Sequence, residues 1–231
     1  MNRLLCWDIE SSDLTADFGK IFCICYKWLG EPKVHTISVF DYNKLQKGGG
    51  WKGGILSDME VVRDFAKVMN TAELQVTWYG KRFDYPMLQT RLLKYGLKPC
   101  ANVAHIDGYD IARHRMRLKS NRLQRLCDFL GLEDKTALKP QVWVDAITGH
   151  IPSLKYIIRH CKQDVKVLED VYKKIRHLSV NLPSLSPKPN CGTCGAENSL
   201  QKRGFRVTMT RKYQSYSCVK CGNWSQGELI R

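Results

Sequence analysis

Long apolar runs are missing from this sequence. No stretch approaches the roughly 18 consecutive apolar residues that a membrane-spanning helix requires. Acidic residues occur from residue 8 onward, before a secretory signal could form its apolar segment. The 231 residues are otherwise 43% hydrophobic and 26% charged, which is ordinary for a globular chain. These features predict a cytoplasmic protein without a membrane partner.

Acidic residues are scarce relative to basic ones. The chain has 22 Asp and Glu against 37 Lys and Arg, which gives a net charge of +15. Such an excess favours a polyanionic partner, either nucleic acid or an acidic surface. The alternative at this point is a basic protein that is merely soluble.

Prolines are few and unevenly placed. Three of the eight lie within residues 181–190, "NLPSLSPKPN", a composition typical of a stiff, extended linker. Mixed strand and helix patterns precede this segment, and paired cysteines with glycines and aromatics follow it. We predict a large domain over residues 1–179, a linker over 180–190 and a small domain over 191–231.

Four of the ten cysteines form two C-x-x-C pairs, "CGTCG" and "CVKCG". Paired thiolates at this spacing are typical of a tetrahedral zinc site, and the 23 residues between the pairs suit a β-hairpin. The segment resembles a zinc ribbon that holds one structural Zn²⁺. Its predicted ligands are Cys191, Cys194, Cys218 and Cys221.

The other cysteines lie singly among apolar neighbours. They predict buried free thiols in a reducing compartment. These residues are Cys6, Cys23, Cys25, Cys100, Cys127 and Cys161.

The large domain has the pattern of an α/β fold. Short apolar segments rich in β-branched or aromatic residues predict strands, and amphipathic segments predict helices. Three strands come first and then strands alternate with helices, which favours a mixed sheet. The glycine-rich segment 43–54 lacks the Lys-Ser/Thr ending of a phosphate-binding loop, so we predict a flexible loop there. The predicted strands are 3–9, 20–29, 33–42, 74–80 and 102–110, and the clearest helices are 57–70, 84–96 and 153–178.

Two carboxylates, Asp8 and Glu10, follow the apolar run of the first strand. Alternate residues of a strand share a face, so the two charges repel unless a cation lies between them. Oxygen ligands of this kind suit Mg²⁺ or Mn²⁺. The alternative is a strand that ends before the acids. Asp84, at the start of a helix, is a further candidate ligand or an ordinary helix cap.

Asp164 is a charged residue inside the apolar stripe of the last predicted helix. Placed on a helical wheel, it lies among Ile157, Cys161, Val165 and Leu168, and His160 lies at the edge of the same stripe. A buried aspartate needs a partner. A metal ion shared with Asp8 and Glu10, or a buried arginine, would provide one.

The segments "WDIE", "WYGKRFD" and "HCKQDV" resemble the three motifs of the DEDD superfamily of proofreading-type 3′→5′ exonucleases. The resemblance covers residues 1 to about 178. It implies an RNase H-like α/β fold with a mixed five-stranded sheet flanked by helices, to which the small β zinc ribbon is added. It also implies that Asp8, Glu10, Asp84 and Asp164 hold two Mg²⁺ or Mn²⁺ ions and that His160 is the general base.

The sequence departs from this pattern at two positions. A histidine stands four residues before Asp164, where one branch of the superfamily has tyrosine and the other has histidine one residue earlier. Tyr156 is the alternative base. In the second motif, Tyr79 stands where asparagine is usual.

The resemblance also implies where a substrate would lie. Ser11 and Ser12 would approach the 3′-terminal sugar, and Lys81, Arg82 and Phe83 flank the second acid. Residues 111–125 contain six Lys/Arg and no acid, which indicates phosphate contacts or a solvated helix face. In the ribbon, basic residues interleave with aromatics, which suits base stacking or packing of a small core.

We therefore expect a metal-dependent 3′→5′ exonuclease that acts on single-stranded nucleic-acid ends, with DNA favoured over RNA and with the ribbon assisting binding. Small enzymes of this kind resemble phage-encoded proteins, which would place this one in the host cytoplasm. The alternative is an inactive nucleic-acid-binding or host-interaction protein on a nuclease fold. The sequence predicts no particular protein partner.

Overall fold

The computed structural model describes most of the chain. The described residues are 4–44, 50–52, 56–132, 139–179, 182–183 and 190–230. Most of the predicted loop at 43–54 and of the predicted linker at 180–190 lies outside them.

A mixed five-stranded sheet forms the centre of the large domain. The strand order is β3-β2-β1-β4-β5, with β1 antiparallel to β2, β2 antiparallel to β3, and β1, β4 and β5 parallel to one another. The predicted mixed α/β sheet is confirmed, and each of its strands overlaps a predicted segment. The strands are β1 (Leu4–Ser11), β2 (Ile21–Trp28), β3 (His35–Ser38), β4 (Leu74–Thr77) and β5 (Ala104–Asp107).

Helices connect and cover these strands. Short 3-10 turns at Val39–Asp41 and Arg176–Leu178 add to the six helices of the described residues. The basic segment at 111–125 is not one helix, because α3 ends at Arg115 and α4 begins at Leu123. The helices are α1 (Met59–Met69), α2 (Asp84–Lys94), α3 (Gly108–Arg115), α4 (Leu123–Leu130), α5 (Pro140–Ile147) and α6 (Ile151–Ile175).

The apolar stripe of α6 packs against β1 and β2, as its periodicity predicts. The helix buries two acids rather than the single one that its wheel suggested, because Glu169 is also fully buried. The Glu169 carboxylate pairs with Lys27 and Lys173 and accepts a hydrogen bond from the Gly30 amide at 2.9 Å. Its charge is therefore balanced by two lysines.

The start of α1 is joined to α2 by a buried ion pair. Arg91 and Asp58 are both fully buried, and Arg91 Nε donates to Asp58 Oδ2 at 2.9 Å. Asp58 also accepts from the Ile21 amide and from the Tyr95 hydroxyl. A buried pair that is satisfied on several sides fixes geometry even where it adds little net stability.

A separate antiparallel sheet forms the C-terminal part. Its strands are β6 (Leu200–Val207), β7 (Lys212–Cys218) and β8 (Trp224–Ile230), in that order. The predicted hairpin is β6–β7, and β8 adds a third strand. The Tyr216 ring lies directly over Gly227, so a side chain at position 227 would collide with it.

Membrane-spanning structure is not found among the helices of the described residues, since none is both long and apolar enough to cross a bilayer.

His105 on β5 makes the stability of the large domain depend on pH. Burial, together with the positive charge of Lys81, lowers the pKa of His105 to about 4 against the opposing effect of Asp110. The unfolded chain binds this proton near the ordinary value of 6.5 and the folded chain does not. The contribution of His105 to stability is therefore fully present above pH 6.5 and is lost as the pH falls towards 4.

The replacement His105→Gln tests this pH dependence. We expect chemical denaturation between pH 7 and 4 to show a smaller loss of unfolding free energy for the variant than for wild type. Parallel curves for the two proteins would contradict the assignment.

Candidate active site and metal centres

The first two candidate acids lie within β1 and not beyond its end. Asp8 and Glu10 are both half-buried, and they pair across the sheet with Cys25 and Cys23 of β2. The strand continues to Ser11. The strand therefore carries both carboxylates, as the sequence predicted, and the alternative of an earlier strand end is wrong.

Asp84 is joined to β1 between these two acids. It is the first residue of α2, is almost completely buried, and accepts a hydrogen bond from the Ile9 amide to Oδ1 at 2.9 Å. β1 pairs with β4 only as far as Cys6, so the Asp84 carboxylate bonds β1 beyond that ladder. Phe83 occupies the N-cap position, so Asp84 is not the cap of α2.

Three of the predicted residues form one compact cluster. His160 Nε2 lies 3.7 Å from Glu10 Oε1 and 3.6 Å from Asp164 Oδ2. One ligand atom from each residue lies within 4.8 Å of the other two. His160 and Asp164 are four residues apart on α6, so the helix presents both from the same face.

Asp8, two residues before Glu10 on β1, also lies against α6. The Cys161 thiol lies 3.7 Å from Asp8 Oδ2 and 3.5 Å from the Asp8 carbonyl oxygen. Tyr156, the alternative base, lies eight residues before Asp164 with the Arg159 guanidinium 4.9 Å from its ring centre.

The donor set of this cluster suits a hard divalent cation. Glu10 and Asp164 offer carboxylate oxygens, which Mg²⁺ and Mn²⁺ prefer. The clustered carboxylates repel one another unless positive charge is shared among them. Asp8 lies on β1, and Asp84 is hydrogen-bonded to the same strand.

A cleft of about 440 Å³ opens beside Glu10. Ser11 and Ser12 line it, and their approach to a 3′-terminal sugar stays a prediction. The apolar walls of the cleft were not foreseen. Trp143 reaches it from α5, whose position relative to β1 is set by tertiary packing that no local pattern shows. The apolar lining residues are Leu14, Phe83, Pro140 and Trp143.

The loop that leads into Asp84 is held by Asp107. Its carboxylate accepts hydrogen bonds from the amides of Tyr79 at 2.8 Å, Lys81 at 3.1 Å and Tyr109 at 3.0 Å. Asp107 is also the N-cap of α3, so its carboxylate has a structural role. Asp110 pairs with Lys81 and Arg82 on the surface.

The four paired cysteines converge in the C-terminal part. The Sγ atoms of Cys191 and Cys221 lie 3.7 Å apart, as do those of Cys194 and Cys218, and all four lie within 4.8 Å of one another. Four thiols at these separations fit the tetrahedral ligand set of Zn²⁺.

Cys218 favours the thiolate form that binds metal. Burial raises the pKa of its thiol, but the Ser199 hydroxyl and the amides of Cys221 and Lys220 lower it to about 6 overall. Burial and the neighbouring thiols instead raise the pKa of Cys221 to about 12 and that of Cys194 above its usual value. The zinc ligand set remains a prediction, and the convergence of the four sulfur atoms supports it.

A third cysteine group was not foreseen as a group. The Sγ atoms of Cys23, Cys25 and Cys161 lie within 4.8 Å of one another, and all three residues are fully buried. Burial raises the pKa of Cys23 and Cys161, which keeps them as thiols. The alternation of Cys23 and Cys25 on β2 was visible in the sequence, but the approach of Cys161 from α6 was not.

Substitution of a predicted zinc ligand tests the C-terminal centre. A segment of this size buries too little apolar surface to fold without its metal. We expect Cys194→Ser to abolish zinc binding and to remove the β6–β8 amide dispersion from NMR spectra, while the large domain stays folded. The matched control is Cys100→Ser, a cysteine of the large domain, which should leave the zinc content unchanged.

The geometry can be compared with known proteins. A family model described as RNase_H superfamily matches residues 5–176. A family B DNA polymerase from the hyperthermophilic archaeon Pyrobaculum calidifontis has a similar fold, with a TM-score of 0.60 and 15% identity. That likeness covers 77% of this chain but only 25% of the polymerase chain. No curated protein shows significant sequence similarity. The family match extends from β1 to the end of α6 and includes every residue of the candidate active site, and on this basis the chain belongs to the RNase_H superfamily.

Proposed function

We propose that this protein is a metal-dependent 3′→5′ exonuclease of the DEDD type. The observation that carries the proposal is the convergence of Glu10, His160 and Asp164, with Asp84 bonded to the backbone between Asp8 and Glu10. This arrangement brings acids from three separate sequence segments to the carboxyl end of β1, the central strand of the sheet.

His160 is proposed to take the proton of the attacking water. Histidine side chains in general exchange protons near neutral pH, which suits this residue type to the role of general base. Glu10 and Asp164 both lie close to His160 Nε2, at 3.7 and 3.6 Å. Two bound Mg²⁺ or Mn²⁺ ions would stabilise the attacking and leaving oxygens of an in-line phosphoryl displacement. Asp8, Glu10, Asp84 and Asp164 are the residues that would hold them.

The cleft beside Glu10 is proposed to receive the 3′-terminal nucleoside. Its apolar walls suit a base and a sugar ring, and Ser11 and Ser12 provide hydroxyls near the acids. A single-stranded end would enter with less distortion than a paired one. DNA is the favoured substrate, with RNA possible.

The C-terminal part is proposed to hold the strand at a distance from the acids. Phe205 and Trp224 are 56% and 51% exposed, and Lys212 Nζ lies 4.1 Å from the centre of the Phe205 ring. They do not fill the ribbon core, in contrast to the half-buried Tyr213 and Tyr216. Exposed aromatics among basic side chains suit base stacking with phosphate contact.

The proposed division of labour follows the predicted domains. Residues 1–179 would cleave the phosphodiester bond, and residues 191–231 would bind the strand. Residues 180–190 would form the linker between them. The phage origin is not needed for this proposal and stays a prediction.

The substitution Asp164→Asn tests the cutting site. It removes a carboxylate charge with little change of shape, so we expect Mg²⁺- or Mn²⁺-dependent cleavage to fall by about 10²-fold or more. Asp170→Asn, on the exposed face of the same helix, is the matched control and should retain activity. The assay follows 5′-labelled single-stranded DNA and RNA in Mg²⁺, Mn²⁺ or EDTA.

A ladder that shortens from the 3′ end in wild type supports the proposal. Strand binding without metal-dependent cleavage would instead favour the non-catalytic nucleic-acid-binding alternative. Full activity of Asp164→Asn would refute the site.

The substitution Leu14→Ser tests the cleft. Leu14 is 82% exposed, so its loss should leave the melting temperature unchanged. We expect KM for a single-stranded substrate to rise about five- to tenfold, because an apolar contact of about 1–1.5 kcal/mol is lost. Phe18→Ser, 80% exposed in the same loop but not lining the cleft, is the control. Equal effects of the two variants would contradict the proposed position of the 3′ end.

A further inference from the structure

Tyr79 has a backbone conformation that tyrosine rarely adopts. Its φ is +69°, in the left-handed region that favours glycine and asparagine. Within the described ranges, the other non-glycine residue with positive φ is Asn198, a residue type that tolerates this region. A bulky side chain at such a position is strained, and strain of this kind concentrates at functional sites.

The surrounding loop holds Tyr79 in this conformation. The Tyr79 amide donates to Asp107 Oδ1, and the Tyr79 carbonyl accepts from the amides of Arg82 at 3.0 Å and Phe83 at 3.1 Å. Asp107 is itself buried. Glycine or asparagine would satisfy the same backbone bonds, so the backbone alone gives no reason for a tyrosine.

Packing does not explain the tyrosine either. Tyr79 is 44% exposed, although its ring is braced. The Tyr109 ring meets it edge-on with centroids 4.9 Å apart, and the Arg82 guanidinium lies 5.6 Å from both ring centres. Arg82 is fixed in turn by Asp110 at 2.7 Å. The result is a rigid, exposed aromatic surface.

The neighbouring surface suits a polyanion. A concave region of about 300 Å³ adjoins this loop, and its lining residues include Lys81, His114 and Arg115. Asp107 and Asp110 line it too, but backbone amides bond the first and Lys81 and Arg82 pair with the second. Arg115 also lines a second concavity with Phe205, Arg206 and Trp224 of the C-terminal sheet. Arg115 therefore links the concavity beside Lys81 to the one beside the exposed aromatics of that sheet.

We propose that the Tyr79 ring, braced by Tyr109 and Arg82, is a stacking platform for an unpaired base of a bound single strand. This inference rests on the proposed function and names a binding subsite for its substrate. Stacking on an aromatic ring tolerates any base, and the adjacent cations contact phosphates without regard to sequence. The subsite would hold the strand upstream of the 3′-terminal nucleoside.

The variants Tyr79→Asn and Tyr79→Phe test the platform. Asparagine relieves the backbone strain and removes the ring, whereas phenylalanine keeps both. We expect the affinity for a single-stranded 12-mer, measured by fluorescence anisotropy without added Mg²⁺ or Mn²⁺ and without a chelator, to fall about tenfold for Tyr79→Asn and to stay near wild type for Tyr79→Phe. The melting temperature of Tyr79→Asn should not fall.

Tyr42→Asn is the matched control for loss of an exposed tyrosine. Tyr42 is 38% exposed and lies after β3, where its hydroxyl donates to Asp64 on α1. Its replacement should leave the affinity unchanged. A 2-aminopurine label moved along the strand should be quenched at one internal position, and Tyr79→Asn should abolish that quenching.

The results separate the two proposals. Unchanged affinity and quenching for Tyr79→Asn, with wild type cutting normally, would overturn the platform alone. Tyr79-dependent binding by a wild type that never cleaves would overturn the exonuclease and keep the platform. A wild type that binds no single strand would overturn both.

Discussion

The hydrogen bond from the Ile9 amide to the Asp84 carboxylate joins β1, which carries Asp8 and Glu10, to the start of α2. It fixes the start of α2 against β1 at the point where β4 no longer pairs with it. Because Ile9 stands between Asp8 and Glu10, the same bond sets the third acid beside the first two. The loop before α2 is held in turn by Asp107, and α2 itself by the ion pair of Arg91 with Asp58.

The periodicity of α6 places its apolar residues and its candidate site residues on the same face. Its apolar stripe covers β1 and β2, and the same stripe carries His160 and Asp164 to Glu10. Glu169 is a second buried acid of this helix, and two lysines and a backbone amide surround its carboxylate.

Much of this organisation follows from local sequence. Alternation in strands and the stripe of α6 predicted the elements, because burial of one face is what those patterns encode. The paired cysteines predicted their own convergence, since ligand spacing is local. The place of each candidate acid in its element was also predictable, although their chemical roles stay predictions.

Other features depend on contacts between distant segments. No pattern placed Trp143 beside Glu10 or Cys161 beside Asp8, because each contact joins elements that pack only in the folded chain. The positive φ of Tyr79 was equally hidden, since tyrosine is a poor indicator of that conformation. Glu169 was missed because the partners that allow its burial include Lys27 and Gly30 on another element.

Asp107 has a consequence for the thermodynamics of association. Three amides, from the loop before α2 and from the start of α3, converge on its one buried carboxylate. The loop and the helix are therefore ordered before any ligand arrives, and their conformational entropy is already lost in the free protein. A molecule that binds this surface does not bear the cost of ordering it, so a larger share of the contact energy is expressed as affinity.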